Sequence, residues 1–223
     1  MKLRDYPDMD MMALGLADQL ASDLRQALEQ KDSVLFVVPG GSTPGPVFDT
    51  MSAVDLDWSR VRVLLSDERW VPGDHPRSNT ALVRDRLLTG HAAKARIVPL
   101  FIENATPHEA LDRLTLAIEP ELPIDVCLLG MGADMHTASL FPGAPGLQTA
   151  LGADAPVLSV QVPEGEPEPR ISLSARVLRD AGALHVAITG EAKKAAVQRA
   201  AGMAPEDAPV SAVLDRAQVH WAA

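Results

Sequence analysis

The sequence predicts an α/β fold: a mostly parallel sheet with helices on both faces. Three observations carry that prediction. Short, continuous apolar runs recur at Val34–Val38, Val61–Leu65, 124–129 and 184–189, and unbroken apolarity marks strands covered on both sides. Helical patterns lie between them, and strands that alternate with helices argue for βαβ units. Each long run then opens into a loop rich in glycine, hydroxyl or charged residues. In a parallel sheet those loops share one edge, where open α/β sheets bind their ligands.

In chain order, residues 12–28 place Leu16, Leu20, Leu24 and Leu28, with Ala13, Ala17 and Ala27, on one helical stripe, capped by Asp8 or Asp10. The strand Val34–Val38 opens into Pro39-Gly-Gly-Ser-Thr-Pro44, and a helix begins near Pro46. Val61–Leu65 ends in Ser66-Asp-Glu-Arg69 and precedes a helix at 80–88. A shorter run at 96–101 and a helix at 108–119 lead to the strand 124–129, which ends in Gly130-Met-Gly-Ala-Asp-Met-His-Thr-Ala-Ser139. After another short run at 157–162, Pro163-Glu-Gly-Glu-Pro-Glu-Pro169 reads as a mobile surface loop leading to Arg170. A helix at 175–181, the strand 184–189, the loop Gly190-Glu-Ala-Lys193 and a helix at 191–201 follow.

With 223 residues, 47% of them hydrophobic, the chain can bury a full core, and one domain over 1–223 is expected. The net charge of −10 argues against nucleic-acid binding, which needs a basic face. It also means that an anionic substrate must be drawn in by a local basic pocket. The opening segment, MKLRDYPDMDMM, lacks an apolar signal region, and no stretch approaches roughly 18 apolar residues, so neither targeting nor membrane insertion is expected. The one cysteine, Cys127, lies in an apolar strand and reads as inert. A single cysteine excludes an intrachain disulfide and fits a reducing, cytoplasmic setting.

The loops carry the chemistry. Gly40, Gly41, Ser42 and Thr43 offer closely approachable amides and two hydroxyls ahead of a helix, the makings of a phosphate cradle. An ordinary turn explains that stretch equally well on its own. Gly40 and Gly45 match half of a P-loop, but Pro46-Val47 stands where Lys-Ser/Thr is required, which disfavours a nucleotide triphosphatase. Gly130-x-Gly132 begins a dinucleotide fingerprint, yet Met135 replaces its third glycine and Phe141-Pro-Gly-Ala-Pro145 stops any long helix, so no nicotinamide cofactor is expected. Ser42, Asp67 and His136 follow the order of an α/β-hydrolase triad, but no nucleophile elbow surrounds Ser42. His108-Glu109 lacks the second histidine of a zinc motif and Asp134-x-His136 offers two ligands, so no metal is expected.

His136 is the general-base candidate, because it titrates near neutrality and sits at a strand end two residues after an acid. His75, His91, His108, His185 and His220 lack that setting and read as surface or packing residues, His185 on a strand. Arg170 and Lys193 are candidate anion ligands, one as a fork and the other as a point charge. Taken alone, each reads first as a solvated surface residue. Lys193 gains weight because its loop follows a buried strand and opens a helix, whereas Lys194 is expected to be solvated.

Taken together, these stretches resemble the 6-phosphogluconolactonases. The matching segments are Gly40-Gly-Ser-Thr-Pro44, Ser66-Asp-Glu-Arg-Trp-Val-Pro72 with Ser78-Asn79, the glycine-histidine stretch from Gly130 to Gly143, Arg170-Ile-Ser-Leu173 and Gly190-Glu-Ala-Lys193. They stand in family order over nearly the whole chain, and the third is the most specific. The resemblance implies cofactor-free hydrolysis of 6-phospho-D-glucono-1,5-lactone to 6-phosphogluconate, a step of the oxidative pentose phosphate pathway. It also implies the three-layer, modified Rossmann-like α/β sandwich shared with glucosamine-6-phosphate isomerases and deaminases. Carried over by motif, His136 is the catalytic histidine, and Ser42, Thr43, Arg170 and Lys193 are phosphate ligands. Gly40, Gly41 and Gly132 bring backbone to the substrate, while Asp67 and Arg69 are polar active-site residues. Either Asp134 or Asp67 would orient the imidazole. The implied partner is a small phosphorylated sugar lactone, with no nucleic acid or membrane, and the chain would act as a monomer or small homo-oligomer.

One residue departs from the pattern: the family usually has glycine at Met135. A positive φ there would store strain of about 1–3 kcal/mol. The reading preferred on sequence is a slightly different turn, with the methionine side chain lining or narrowing the pocket. Two rivals remain in view. An isomerase or deaminase would use a carboxylate such as Asp67 to move a carbon-bound proton, but those enzymes carry Asp-Glu-Tyr and His-Ile-Ala-Phe-Asn-Glu where this chain has Asp67-Glu-Arg69 and His136-Thr-Ala-Ser-Leu-Phe141. A non-catalytic sugar-phosphate sensor would keep the pocket without the chemistry.

Overall fold

Every residue of Val34–Val38 is buried, so this strand has protein against both of its faces, as its unbroken apolar run requires. In the computed structural model, which describes residues 1–223, it is the second of ten strands. They are β1 (Lys2–Tyr6), β2 (Val34–Val38), β3 (Val61–Leu65), β4 (Asp67–Arg69), β5 (Arg96–Val98), β6 (Val126–Gly130), β7 (Leu158–Gln161), β8 (Arg170–Leu173), β9 (Ala183–Thr189) and β10 (Gln218–Ala222). The helices are α1 (Met9–Leu28), α2 (Gly45–Ser52), α3 (Asn79–Arg86), α4 (Pro107–Ile118), α5 (Leu147–Leu151), α6 (Ala175–Arg179), α7 (Glu191–Ala200) and α8 (Ser211–Leu214).

Seven strands form one wholly parallel sheet in the order β1-β10-β9-β6-β2-β3-β5. From β2 the chain builds outward through β3 and β5. It then returns to the other side of β2 and builds outward again through β6, β9 and β10. The order therefore reverses between β2 and β6, and a crevice opens there beyond the strands' carboxyl ends. The expected loops after β2, β3, β6 and β9 do share that edge. No helix is long and apolar enough to cross a membrane.

The departures from expectation have local causes. The run at 96–101 stops at Val98, because Pro99 has no amide to donate to the ladder. The run at 157–162 leaves the main sheet as β7 and joins β4 and β8 in a second, antiparallel sheet of order β4-β8-β7. Residues 163–169 thus join two paired strands, and Arg170 begins β8 with only 6% of its surface exposed; it is not a solvated surface residue. Lys194 is not simply solvated either. Its Nζ lies 2.9 Å from Asp5 Oδ1 and 3.5 Å from the centre of the Trp221 ring, tying α7 to the edge strand β1 and its neighbour β10. Asp8, not Asp10, caps α1 by accepting the Met11 amide at 2.8 Å.

Candidate active site

The chain after β2 runs Pro39-Gly40-Gly41-Ser42-Thr43-Pro44 into α2, and the amides of Gly40 to Thr43 have no hydrogen-bond acceptor within the protein. Two glycines make the approach possible. Gly41 has φ +88° with open space where a side chain would begin, so its backbone can meet a ligand directly. A Cβ on Gly40 would lie 2.0 Å from the Asn79 side-chain oxygen, so only glycine lets Asn79 cross beneath this loop.

Across the crevice, the turn after β6 is folded by its own backbone. Gly132 donates to the His136 carbonyl at 3.0 Å and Met135 to the Gly132 carbonyl at 3.0 Å, while the Thr137 hydroxyl donates to Gly130 O at 2.8 Å. The turn brings Asp134 back onto His136, with Oδ1 2.6 Å from Nδ1 and 3.2 Å from the His136 amide. A Cβ on Gly132 would lie 2.2 Å from the imidazole and 2.4 Å from Asp134 Oδ1, so the pair rests on a bare glycine. Burial opposes ionisation of Asp134, but the ring and backbone bonds from His136 outweigh it and hold the carboxyl below its usual range. An ionised Asp134 accepts from Nδ1–H, which leaves the Nε2 lone pair as the basic site. Of the two carboxylates considered on sequence, it is Asp134 that contacts the imidazole. Asp67 lies elsewhere in the cleft, with Oδ1 accepting from Ser66 Oγ at 2.8 Å and Oδ2 from Ser139 Oγ at 2.5 Å.

Met135 takes φ +69°, the left-handed conformation that glycine adopts without penalty. The altered turn preferred on sequence is therefore not formed. Nor does the methionine side chain line the pocket, because it packs against the apolar core. Ala138, two residues beyond the histidine, also has positive φ, at 47°.

The small antiparallel sheet supplies the positive charge. Arg69 of β4 and Arg170 of β8 are direct cross-strand partners, so both side chains leave the same face and enter the cleft. Like charges placed opposite each other are unfavourable unless an anion lies between them. The Nε of each is buried and without a partner. Lys193, in the first turn of α7, completes the cationic wall. The imidazole packs tilted against Phe141, with centroids 4.2 Å apart, and the Arg170 guanidinium carbon lies 5.3 Å from the centre of that same ring. Imidazole and guanidinium thus share one aromatic neighbour.

Gly40, Gly41, Ser42, Thr43, Asp67, Arg69, Gly132, His136, Arg170 and Lys193 all line one cavity of about 240 Å³, and Asp134 stands behind His136. That volume falls below the roughly 300–1,000 Å³ of sites for drug-sized ligands. Its charged and hydroxyl side chains, with bare glycine backbone between them, fit a small, hydroxylated anion. An imidazole and three cationic side chains in one cleft suit proton transfer on a substrate held by its charge.

Known proteins resemble this chain in sequence and fold. The family described as glucosamine-6-phosphate isomerases/6-phosphogluconolactonase matches residues 7–221. The 6-phosphogluconolactonase of Rhizobium meliloti is 40% identical, with 97% of each chain covered. That of Pseudomonas aeruginosa is 43% identical over 94% of this chain and 90% of its own. The chain belongs to this family. A crystal structure of a 6-phosphogluconolactonase from Shewanella baltica superposes with TM-score 0.96 at 31% identity, covering 100% of this chain and 98% of that one. A monomeric glucosamine-6-phosphate deaminase superposes with TM-score 0.81 at 17% identity, a likeness of fold alone.

Because the glucosamine-6-phosphate isomerase/6-phosphogluconolactonase family shares its fold across both chemistries, side chains must separate them. Several residues that shape the cleft have no individual role on sequence. Asn79, present there only as part of a matching segment, donates to Asp67 O at 2.9 Å and accepts from Arg69 at 3.3 Å, bracing both residues. Phe141 figures there as a helix stop and as part of the resembling stretch, and Ser139 and Glu166 have no role of their own. Ser139 reaches Asp67 across 72 positions, a distance no spacing rule spans.

Proposed function

We propose that this protein hydrolyses 6-phospho-D-glucono-1,5-lactone to 6-phosphogluconate, with His136 as general base. The observation that carries the reading is the 2.6 Å bond from Asp134 to His136 Nδ1, on the far side of the imidazole from its basic nitrogen, in a cleft that also holds Arg69, Arg170 and Lys193. The cations and the free amides of Gly40 to Thr43 hold the phosphate and so place the lactone carbonyl near His136. Neutral His136 takes a proton through Nε2 as water adds to the carbonyl carbon. The tetrahedral oxyanion is met by backbone amides of the glycine turn or by Arg69. When the ring C–O bond breaks, the imidazolium returns the proton to the leaving oxygen, so the product is an open-chain acid and the base is regenerated. Such a base contributes about 10²–10⁴-fold. The substrate is a small molecule, and the proposed unit is one catalytic domain over 1–223 acting in the cytoplasm.

The isomerase or deaminase alternative needs a carboxylate free to take a proton from carbon. Asp67 is the candidate, and both of its oxygens already accept serine hydroxyls. The test is lactone hydrolysis at mildly acidic pH, where spontaneous opening is slow, for wild type and His136→Ala. The variant is expected to lose about 10²-fold or more in kcat while still binding 6-phosphogluconate. A wild type that binds this ligand without accelerating hydrolysis would be a sensor. Ammonia release from glucosamine-6-phosphate at a rate matching lactone hydrolysis would identify a deaminase.

A further inference from the structure

Residues 163–169 carry a carboxylate to the cationic wall. Glu166 Oε2 lies 2.6 Å from Arg170 Nη2 and 3.3 Å from Arg77 Nη2. Its neighbour Glu168 binds Arg77 Nε at 2.9 Å, and Arg69 Nη1 donates to the Arg77 carbonyl at 2.8 Å. The Arg170 hydrogen bond holds the Glu166 carboxyl below its usual range, and the charges of Arg170, Arg77 and Arg69 act the same way. The two partners differ in freedom. Arg170 is a buried strand residue, whereas the Glu166 side chain is 37% exposed on the loop between β7 and β8.

A guanidinium facing another across two strands is destabilising, and an anion beside the pair offsets that repulsion with or without substrate. We propose that Glu166 is an internal stand-in for the substrate phosphate: it neutralises Arg170 in the empty cleft and is displaced when a phosphate arrives. Arg77, already within 3.3 Å, receives the displaced carboxylate, so the exchange leaves no charge unpaired. A phosphate dianion brings more charge and more acceptor oxygens than a carboxylate, and a partly exposed ion pair is weak enough to give way. Glu166 thereby sets how tightly phosphorylated ligands bind without touching the reacting carbonyl. This inference rests on the assignment of Arg170 to the phosphate under the proposed function.

The test compares wild type, Glu166→Gln and Glu168→Gln by calorimetric titration with inorganic phosphate and by lactonase kinetics. Both variants remove one negative charge from the same loop, but only the first frees Arg170. Glu166→Gln is expected to bind phosphate about two- to fivefold more tightly and to lower KM for the phosphorylated lactone, with kcat and the KM for unphosphorylated glucono-1,5-lactone unchanged. Glu168→Gln is expected to match wild type. Weaker or unchanged phosphate binding in Glu166→Gln would make Glu166 a positioning residue and overturn the proposal, as would equal tightening in both variants. The phosphate titration needs no turnover. A protein that binds phosphate as expected but opens no lactone would therefore refute the proposed reaction and leave the exchange standing.

Discussion

Asp134 and His136 are two residues apart, so one tight turn is enough to couple them, and Gly132 leaves the space in which they meet. In the proposed mechanism the coupling does two things. It selects the tautomer whose Nε2 is basic, and it stabilises the imidazolium that would form as water is deprotonated. Asp134→Asn removes the charge but keeps the size. We expect kcat to fall roughly 10–10³-fold, the moderate range being set by a carboxylate side chain that is 51% exposed to water. KM should hold, because the phosphate contacts are elsewhere. A kcat within threefold of wild type would mean that Asp134 does not act through the imidazole. Met135 belongs to the same turn. Its left-handed backbone at φ +69° is the conformation the family's glycine would adopt freely, so this chain keeps the geometry and accepts strain of about 1–2 kcal/mol.

At the scale of elements, the three-residue strand β4 organises the site out of proportion to its length. Asp67 and Arg69 enter the cleft, while Glu68 between them points the other way, fully buried, and accepts the Arg69, Asn79 and Thr80 amides at 2.8 Å and the Ser78 hydroxyl at 2.9 Å. It thereby closes the amino end of α3 and fixes Asn79, which braces Asp67 and Arg69 in turn. Glu68→Gln would set an amide NH₂ against donors that need acceptors. We expect a loss of about 2–4 kcal/mol in stability, together with a raised KM. The check is a urea midpoint that falls at constant slope; an unchanged midpoint would remove Glu68 from this role. β4 also marks where sequence reading stops. The parallel core was legible because Val34–Val38 and Val61–Leu65 are unbroken apolar runs. The four loops were legible because glycine, hydroxyl and charge follow those runs directly. β4, β8, β1 and β10 are short and mixed in polarity, with pattern KLRDY or RISL, and become strands only through partners far away in the chain. The burial of Arg170 and the ion pairs of Glu166 and Lys194 follow from those long-range pairings, so local pattern could not carry them.

Across the whole molecule, a line of buried polar groups joins the edge of the main sheet to α1. Asp23 Oδ2 lies 2.9 Å from His185 Nε2, His185 Nδ1 lies 3.0 Å from His220 Nε2, and His220 Nδ1 lies 2.9 Å from the Tyr6 hydroxyl. Burial, with His185 and Arg4 nearby, pushes His220 down to about 3. The sign of the pH dependence follows. Between pH 6.5, where an unfolded histidine titrates, and about 3, the unfolded chain binds a proton that the folded chain refuses. Stability from this group is therefore complete above about pH 6.5 and drains away as pH falls toward 3, by on the order of 5 kcal/mol at the limit. Asp49, Asp134, Glu166 and Asp215, all held below their usual range, add losses of the same sign, but only below about pH 5. The window from about pH 5 to 6.5 thus isolates the histidine from these carboxylates. His220→Gln should be less stable than wild type at pH 7 yet show a flatter decline of its urea midpoint across that window. Because His220 lies outside the cleft, the same substitution should leave the pH profile of kcat/KM where it was. A stability slope as steep as that of wild type would show that the proton is taken up elsewhere, and a shifted kcat/KM profile would show that the buried line and the catalytic turn are one titrating system.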